Sequence, residues 1–154
     1  TMDEMIEYIV TRTNDIVKGD DELYFLWDLN FSHNDETLIW LCKINCKNMY
    51  RIRGNHDSNS AVNKLWHKFQ WVKNEHVLEI EWRKIHLEHY PPIDYVDDGN
   101  GGMKKVNRYM PSDYDICIHW HTHKPLYYDN CADVSYNGGK LIYDLQEIIW
   151  KLEK

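Results

Sequence analysis

The order of periodic segments predicts a layered α/β (α+β) sandwich, two mixed β-sheets flanked by helices, built by residues 1–154 as a single domain. Three observations predict it. Helix-spaced and strand-like apolar runs alternate up to residue 69, and strand-like runs dominate beyond residue 70. No linker, repeat or low-complexity tract divides the chain.

Met2, Met5, Ile6, Ile9, Val10, Thr13, Ile16 and Val17 recur at three- and four-residue steps, which predicts an amphipathic helix with Thr1 as N-cap and Gly19 as stop. ELYFLWDLN is a short β-prone run that reads as a buried strand with Asp28 at its carboxyl end. Residues 36–47 return to helical spacing through Leu38, Leu41, Cys42 and Cys46, and NMYRIRG then reads as a strand delivering Gly54, Asn55, His56 and Asp57. A helix over residues 59–69 follows, with Val62, Leu65, Trp66 and Phe69 on one face. HVLEIEW and KIHLEHYP, separated by Arg83 and Lys84, predict a hairpin; YDICIH and DVSYN extend a second sheet with antiparallel pairing. Residues 91–105, with two prolines, three glycines and three aspartates, predict the longest loop. Leu145, Ile148, Ile149 and Leu152 close the chain as a helix.

A formal net charge of -7 and a pI near 5.7 do not favour a nucleic-acid partner, because gripping a phosphate backbone requires clustered Lys and Arg. No apolar stretch approaches the roughly 18 to 20 residues of a membrane span, and the N-terminal residues carry no signal pattern, so the expectation is a cytoplasmic protein with no membrane partner. Cys42, Cys46, Cys117 and Cys131 form no CxxC pair and read as free thiols. Nothing in the sequence specifies an oligomeric state.

Polar clusters stand at four strand ends: Asp28, then Asn55 with His56, then His89, then His121 with His123. Ligand sites of open α/β sheets form beyond the carboxyl ends of strands, so these clusters can converge. Carboxylate, amide oxygen and imidazole together suit a borderline divalent ion such as Mn, Fe or Zn. Taken singly, Asp28 reads as a turn or cap residue, GNHD as a turn and His89 as a strand-end histidine; His121 and His123, at alternate positions, share one strand face. His33, His67, His76 and His86 read as surface or packing residues, and His119 falls on the face of His121.

GNHD (residues 54–57), HYP (89–91) and HTHKP (121–125), preceded by YFLWDLNF, resemble the motifs of the calcineurin-like metallophosphoesterases, especially the small bacterial and phage-type members, in order and spacing over nearly the whole chain. The resemblance implies a metallo-dependent phosphatase-like sandwich, a dinuclear centre of Mn, Fe, Zn or Ni between the strand ends, and hydrolysis of phosphomonoesters or phosphodiesters, and the acidic charge balance favours a small phosphoester as substrate. It implies that Asp28 bridges the metals, that Asn55, His89 and His121 bind the second metal and His123 the first, that His56 is a non-ligand acid, and that Asp57 orients it. Arg51 and Arg53 stand where they would either clamp a phosphate or be solvated.

Two departures accompany the match. The family pattern opens with a strand ending in Asp-x-His, which this sequence lacks, so one metal site is expected complete and the other not. Trp27 and Trp120 replace glycines before the bridging Asp and before the His-x-His, where they would crowd the metals or point into the core. Two functional readings follow: hydrolysis by a metal-activated water, or a degenerate, weakly active or inactive relative that holds about one ion and serves as a binding module. A third is a structural zinc site of His121, His123 and Cys117 or Cys131.

Overall fold

The structure is a computed structural model that describes residues 1–28, 39–107, 113–121, 126–135 and 140–154. Helix α1 (Met2–Ile16) begins at Thr1, whose hydroxyl accepts the Glu4 N–H at 3.3 Å in a capping box. It buries Val10 and Thr13 and ends where Val17 turns extended, two residues before Gly19.

Strands β1 (Glu22–Phe25), β2 (Asn48–Ile52) and β3 (Trp71–Lys73) form a sheet in the order β1-β2-β3. Both pairs are parallel, so this sheet is not mixed as the sequence predicted. Parallel neighbours need a crossover, and helix α2 (Asn59–Leu65), continued by a 3-10 turn at Trp66–Lys68, supplies the one between β2 and β3. The predicted helix over residues 36–47 is helical at residues 39–41 and over by residue 42; its earlier part lies outside the described residues. Cys42 and Cys46 therefore share no helical face, and the Cys46 thiol donates to the Asp21 carbonyl at 3.3 Å.

The hairpin of β4 (Glu75–Ile80) and β5 (Arg83–Glu88) turns at Glu81 and Trp82, not at Arg83 and Lys84, with Glu81 in the left-handed region at φ 56. Residues 91–105 are mostly not loop: β6 (Ile93–Asp97) and β7 (Met103–Asn107) pair as an antiparallel ribbon. The Asp98 carboxylate closes its turn by accepting the Asn100 N–H at 2.8 Å and the Gly102 N–H at 3.0 Å, while Gly99 and Gly101 take φ values of 80 and 82. Strands β8 (Ile116–His119), β9 (Leu126–Tyr128) and β10 (Cys131–Asp133) complete a mixed sheet in the order β4-β5-β8-β10-β9. Helix α3 (Leu145–Leu152) starts at Asp144, whose carboxylate accepts the Glu147 N–H at 3.1 Å.

Two core clusters result. One joins Val10 of α1 to Phe25, Leu41, Met49, Leu65 and Phe69; the other joins Leu26 and Ile52 to Ile85, Leu87, Ile116 and Ile118 and to Ile148 and Ile149 of α3. Ile85 and Leu87 on β5 face the second cluster, so the alternate residue His86, which is also fully buried, faces away from it. No helix among the described residues is long and apolar enough to cross a membrane.

Candidate metal centre

The turn after β2 is folded by its own charges. The buried Asp57 carboxylate pairs with Arg51 and accepts the Gly54 N–H at 2.8 Å, and Arg53 donates Nε and Nη2 to the Asp57 carbonyl at 3.1 and 2.8 Å. Arg51 is only 3% exposed, and burial lowers its guanidinium pKa against the opposing pull of Asp57. Both arginines are thus engaged in building the turn, Arg51 buried and Arg53 half-buried. The turn exposes Asn55 and His56 and presses Gly54 against Asp28: a Cβ on Gly54 would lie 2.0 Å from Asp28 Oδ1. Only glycine allows this approach. The His56 N–H donates to Asp28 Oδ1 at 2.8 Å, which joins the two strand ends.

His89 is the hub. Its carbonyl accepts the Trp120 and His121 N–H groups at 3.2 and 2.9 Å, and its Nδ1 lies 2.8 Å from the Leu26 carbonyl. A carbonyl only accepts, so Nδ1 carries a proton, and Nε2 is the ring nitrogen left for a ligand. Nε2 lies 2.8 Å from Asn55 Oδ1, 3.5 Å from Asp28 Oδ2 and 3.2 Å from His121 Nδ1. Two acceptor oxygens thus face this nitrogen. Such a gathering of acceptors calls for a cation, and an imidazole that donates its other nitrogen to a backbone carbonyl is the usual form of a metal-ligating histidine. Ligands at about 2.0 to 2.1 Å around a tetrahedral ion stand about 3.3 Å apart, close to these spacings. The donor set fits a borderline divalent ion.

The structure therefore brings Asp28, Asn55, His89 and His121 together, with His56 alongside and Asp57 beneath the turn. His123 lies outside the described residues. The indoles point inward: Trp120 is buried in the second core cluster and stacks on His89 with centroids 5.7 Å apart, and Trp27 meets Trp120 edge-on at 6.4 Å. His119 is fully buried, 3.5 Å from Asp133, and burial pushes its pKa down to about 4 against the opposing pull of Asp133. Cys117 and Cys131 are register neighbours; the hydrogen bond with Cys131 and then burial push the Cys117 thiol up, the reverse of a zinc-binding thiolate. A cavity of about 850 Å³ bordered by Leu26, Trp27 and Trp120 runs along β1 beside α1, and none of Asp28, Asn55, His89 or His121 lines it.

A second group was missed in the sequence. Among the described residues, Glu75, His86 and Glu88 are the only His, Cys, Asp or Glu set whose ligand atoms all lie within 4.8 Å of one another, and they could hold a metal ion. The Asp28 cluster needs the Asn55 amide and radiates from His89 instead. His86 was expected on the surface or in simple packing; it is 0% exposed, with Nε2 3.0 Å from Glu75 Oε2. The available signal was alternation, His86 and Glu88 on one face of β5, but the misplaced turn hid Glu75: a turn at Arg83 and Lys84 would set it opposite Pro92, whereas the true register sets it opposite Glu88.

No family model matches the chain, and no curated protein matches it. Two solved structures share its fold. A protein of unknown function from Aquifex aeolicus aligns with a TM-score of 0.60 and 20% identity, over 84% of this chain and 75% of that one. An archaeal phosphodiesterase aligns with a TM-score of 0.51 and 16% identity, over 84% of this chain and 73% of that one. At such identities the likeness establishes the layered α/β fold.

Proposed function

We propose that this protein is a metal-dependent phosphoesterase that hydrolyses phosphomonoesters or phosphodiesters of small substrates. The observation that carries the proposal is the convergence of Asp28, Asn55 and His121 on Nε2 of His89. A fold shared with an archaeal phosphodiesterase agrees with it.

In this reading Asp28, Asn55, His89 and His121 hold the ion, with His123 added by the sequence resemblance. A divalent ion there supplies Lewis acidity toward the phosphoryl oxygens and a lowered pKa for the attacking water. His56 stands exposed at the rim, its backbone tied to Asp28. Its imidazole is the acid that donates a proton to the leaving oxygen. Asp57 acts through the backbone: with Arg51 it fixes the turn that aims His56 and keeps Gly54 against Asp28. Trp120 walls one side of the His89 ring and keeps water from it.

The test is hydrolysis of nitrophenyl phosphate and bis-nitrophenyl phosphate by the purified chain with Mn²⁺. Activity should depend on Mn²⁺ and fall about 10² to 10⁴-fold in His56→Ala with metal binding intact. Hydrolysis indifferent to both Mn²⁺ and His56 would refute the proposal.

A further inference from the structure

β1 is the edge of its sheet: among the described residues only β2 pairs with it. An edge strand offers a row of backbone N–H and C=O groups to whatever lies beside it, and exposed edges are usually guarded by charge or proline. Here only Glu22 is charged, and Leu23, Tyr24 and Phe25 complete the strand. The cavity of about 850 Å³ is bordered by β1 but by no residue of β2, so it lies along the free edge. Protein interiors hold few voids larger than a water molecule, so a space of this size is no ordinary packing gap.

The side chains of β1 alternate between the two cores: Leu23 and Phe25 join the first cluster, Tyr24 and Leu26 the second. The cavity continues that division, with Trp40 and Ile44 of the first cluster and Leu87 and Ile118 of the second at its border. A strand laid beside β1 would send alternate side chains into both clusters, and a strand covered on both faces is a nearly continuous apolar run. With a rise of about 3.3 Å per residue, strands about 4.8 Å apart and sheets about 10 Å apart, one strand residue takes roughly 160 Å³, so the space holds about five. β1 itself has four residues. An acyl chain would fill the same volume but leave the backbone groups of the β1 edge unanswered. The charged border is mostly acidic, Asp21, Glu22, Asp144 and Glu147 against Lys140, which pairs with Glu147. Basic flanks on an incoming segment complement it.

We infer that this cavity is a docking groove for an extended apolar segment of about five residues with basic flanks, supplied by a partner protein and added as a strand to the free edge of β1. The inference rests on nothing in the phosphoesterase reading. Leu26, whose carbonyl holds the His89 ring, borders the groove, so a docked strand also braces the strand-end centre.

The experiment is a calorimetric titration of the full, unsubstituted chain with the peptide Lys-Lys-Val-Ile-Val-Ile-Val-Lys-Lys, paired with amide hydrogen exchange read residue by residue. One equivalent should bind saturably and slow exchange within β1. The same peptide N-methylated at its three central residues keeps its apolar side chains and loses its donors, so it should bind at least about tenfold more weakly. Dodecanoate serves as the acyl-chain probe. Absence of peptide binding, equal affinity for the two peptides, unchanged exchange within β1 at saturation, or protection of β1 by dodecanoate and not by the peptide would each overturn the groove.

Discussion

The strand-end centre and the hairpin-face cluster use the same donor types but are built by opposite means. The first draws Asp28, Asn55, His89 and His121 from four separate strand ends and wedges them between the two sheets, with Asp28 and His89 almost wholly buried. The second draws Glu75, His86 and Glu88 from a single hairpin whose register alone aligns them, with one ligand open to water. Damage to the first should spread into the core, whereas damage to the second should stay local.

The largest effect is expected from Trp120→Ala, which removes the indole stacked on His89 and packed in the second core cluster. A loss of about 4 kcal/mol is expected by urea denaturation, as for other buried Trp truncations. A loss below about 1 kcal/mol would mean that the strand-end centre is not coupled to the core. Gly54→Ala comes next: its Cβ would fall 2.0 Å from Asp28 Oδ1 and 3.1 Å from Asp28 Cα, so Asp28 must move. A cost of about 2 kcal/mol is expected, together with loss of metal-dependent hydrolysis. In the hairpin, Glu81→Gly should stabilise by about 0.5 to 1 kcal/mol, since Glu81 holds a left-handed backbone at φ 56. Destabilisation there would show that the Glu81–Arg83 ion pair outweighs the strain. The smallest effect is Glu75→Gln in chelator. Its exposed carboxamide can still accept from His86 and no longer repels Glu88, so unfolding free energy should stay within about 0.5 kcal/mol.

What the sequence made legible follows the same division. Strand ends were readable because short apolar runs stop abruptly at Asp28, Gly54, His89 and His121, and the structure places the side chains of Asp28, Asn55, His89 and His121 together. The α1 cap, the β2 strand and the last helix also matched their periodicity. Register was not readable. The hairpin turns on Glu81 and Trp82, neither a customary turn residue, and the polar pair Arg83–Lys84 that imitates a turn is the start of β5. The glycines and aspartates around the Asp98 turn mask the pattern of the strands that flank it. The three residues of β3 were too short to show a period. Trp27 and Trp120 could be read as crowding or packing from sequence alone; only the layers around them show that they pack on each other and that Trp120 packs on His89.

The bond from His89 Nδ1 to the Leu26 carbonyl spans 63 residues and runs from the end of β5 in one sheet to the end of β1 in the other. Contacts of such sequence separation form late, because loop closure comes before the contacts that reward it. Each sheet can pair its own strands without the other, but Nε2 of His89 is not aimed until the sheets dock. The strand-end centre is therefore a property of the finished fold. An ion that binds there recognises the docked state over any half-assembled one and raises the population of complete molecules in proportion to its concentration over its Kd.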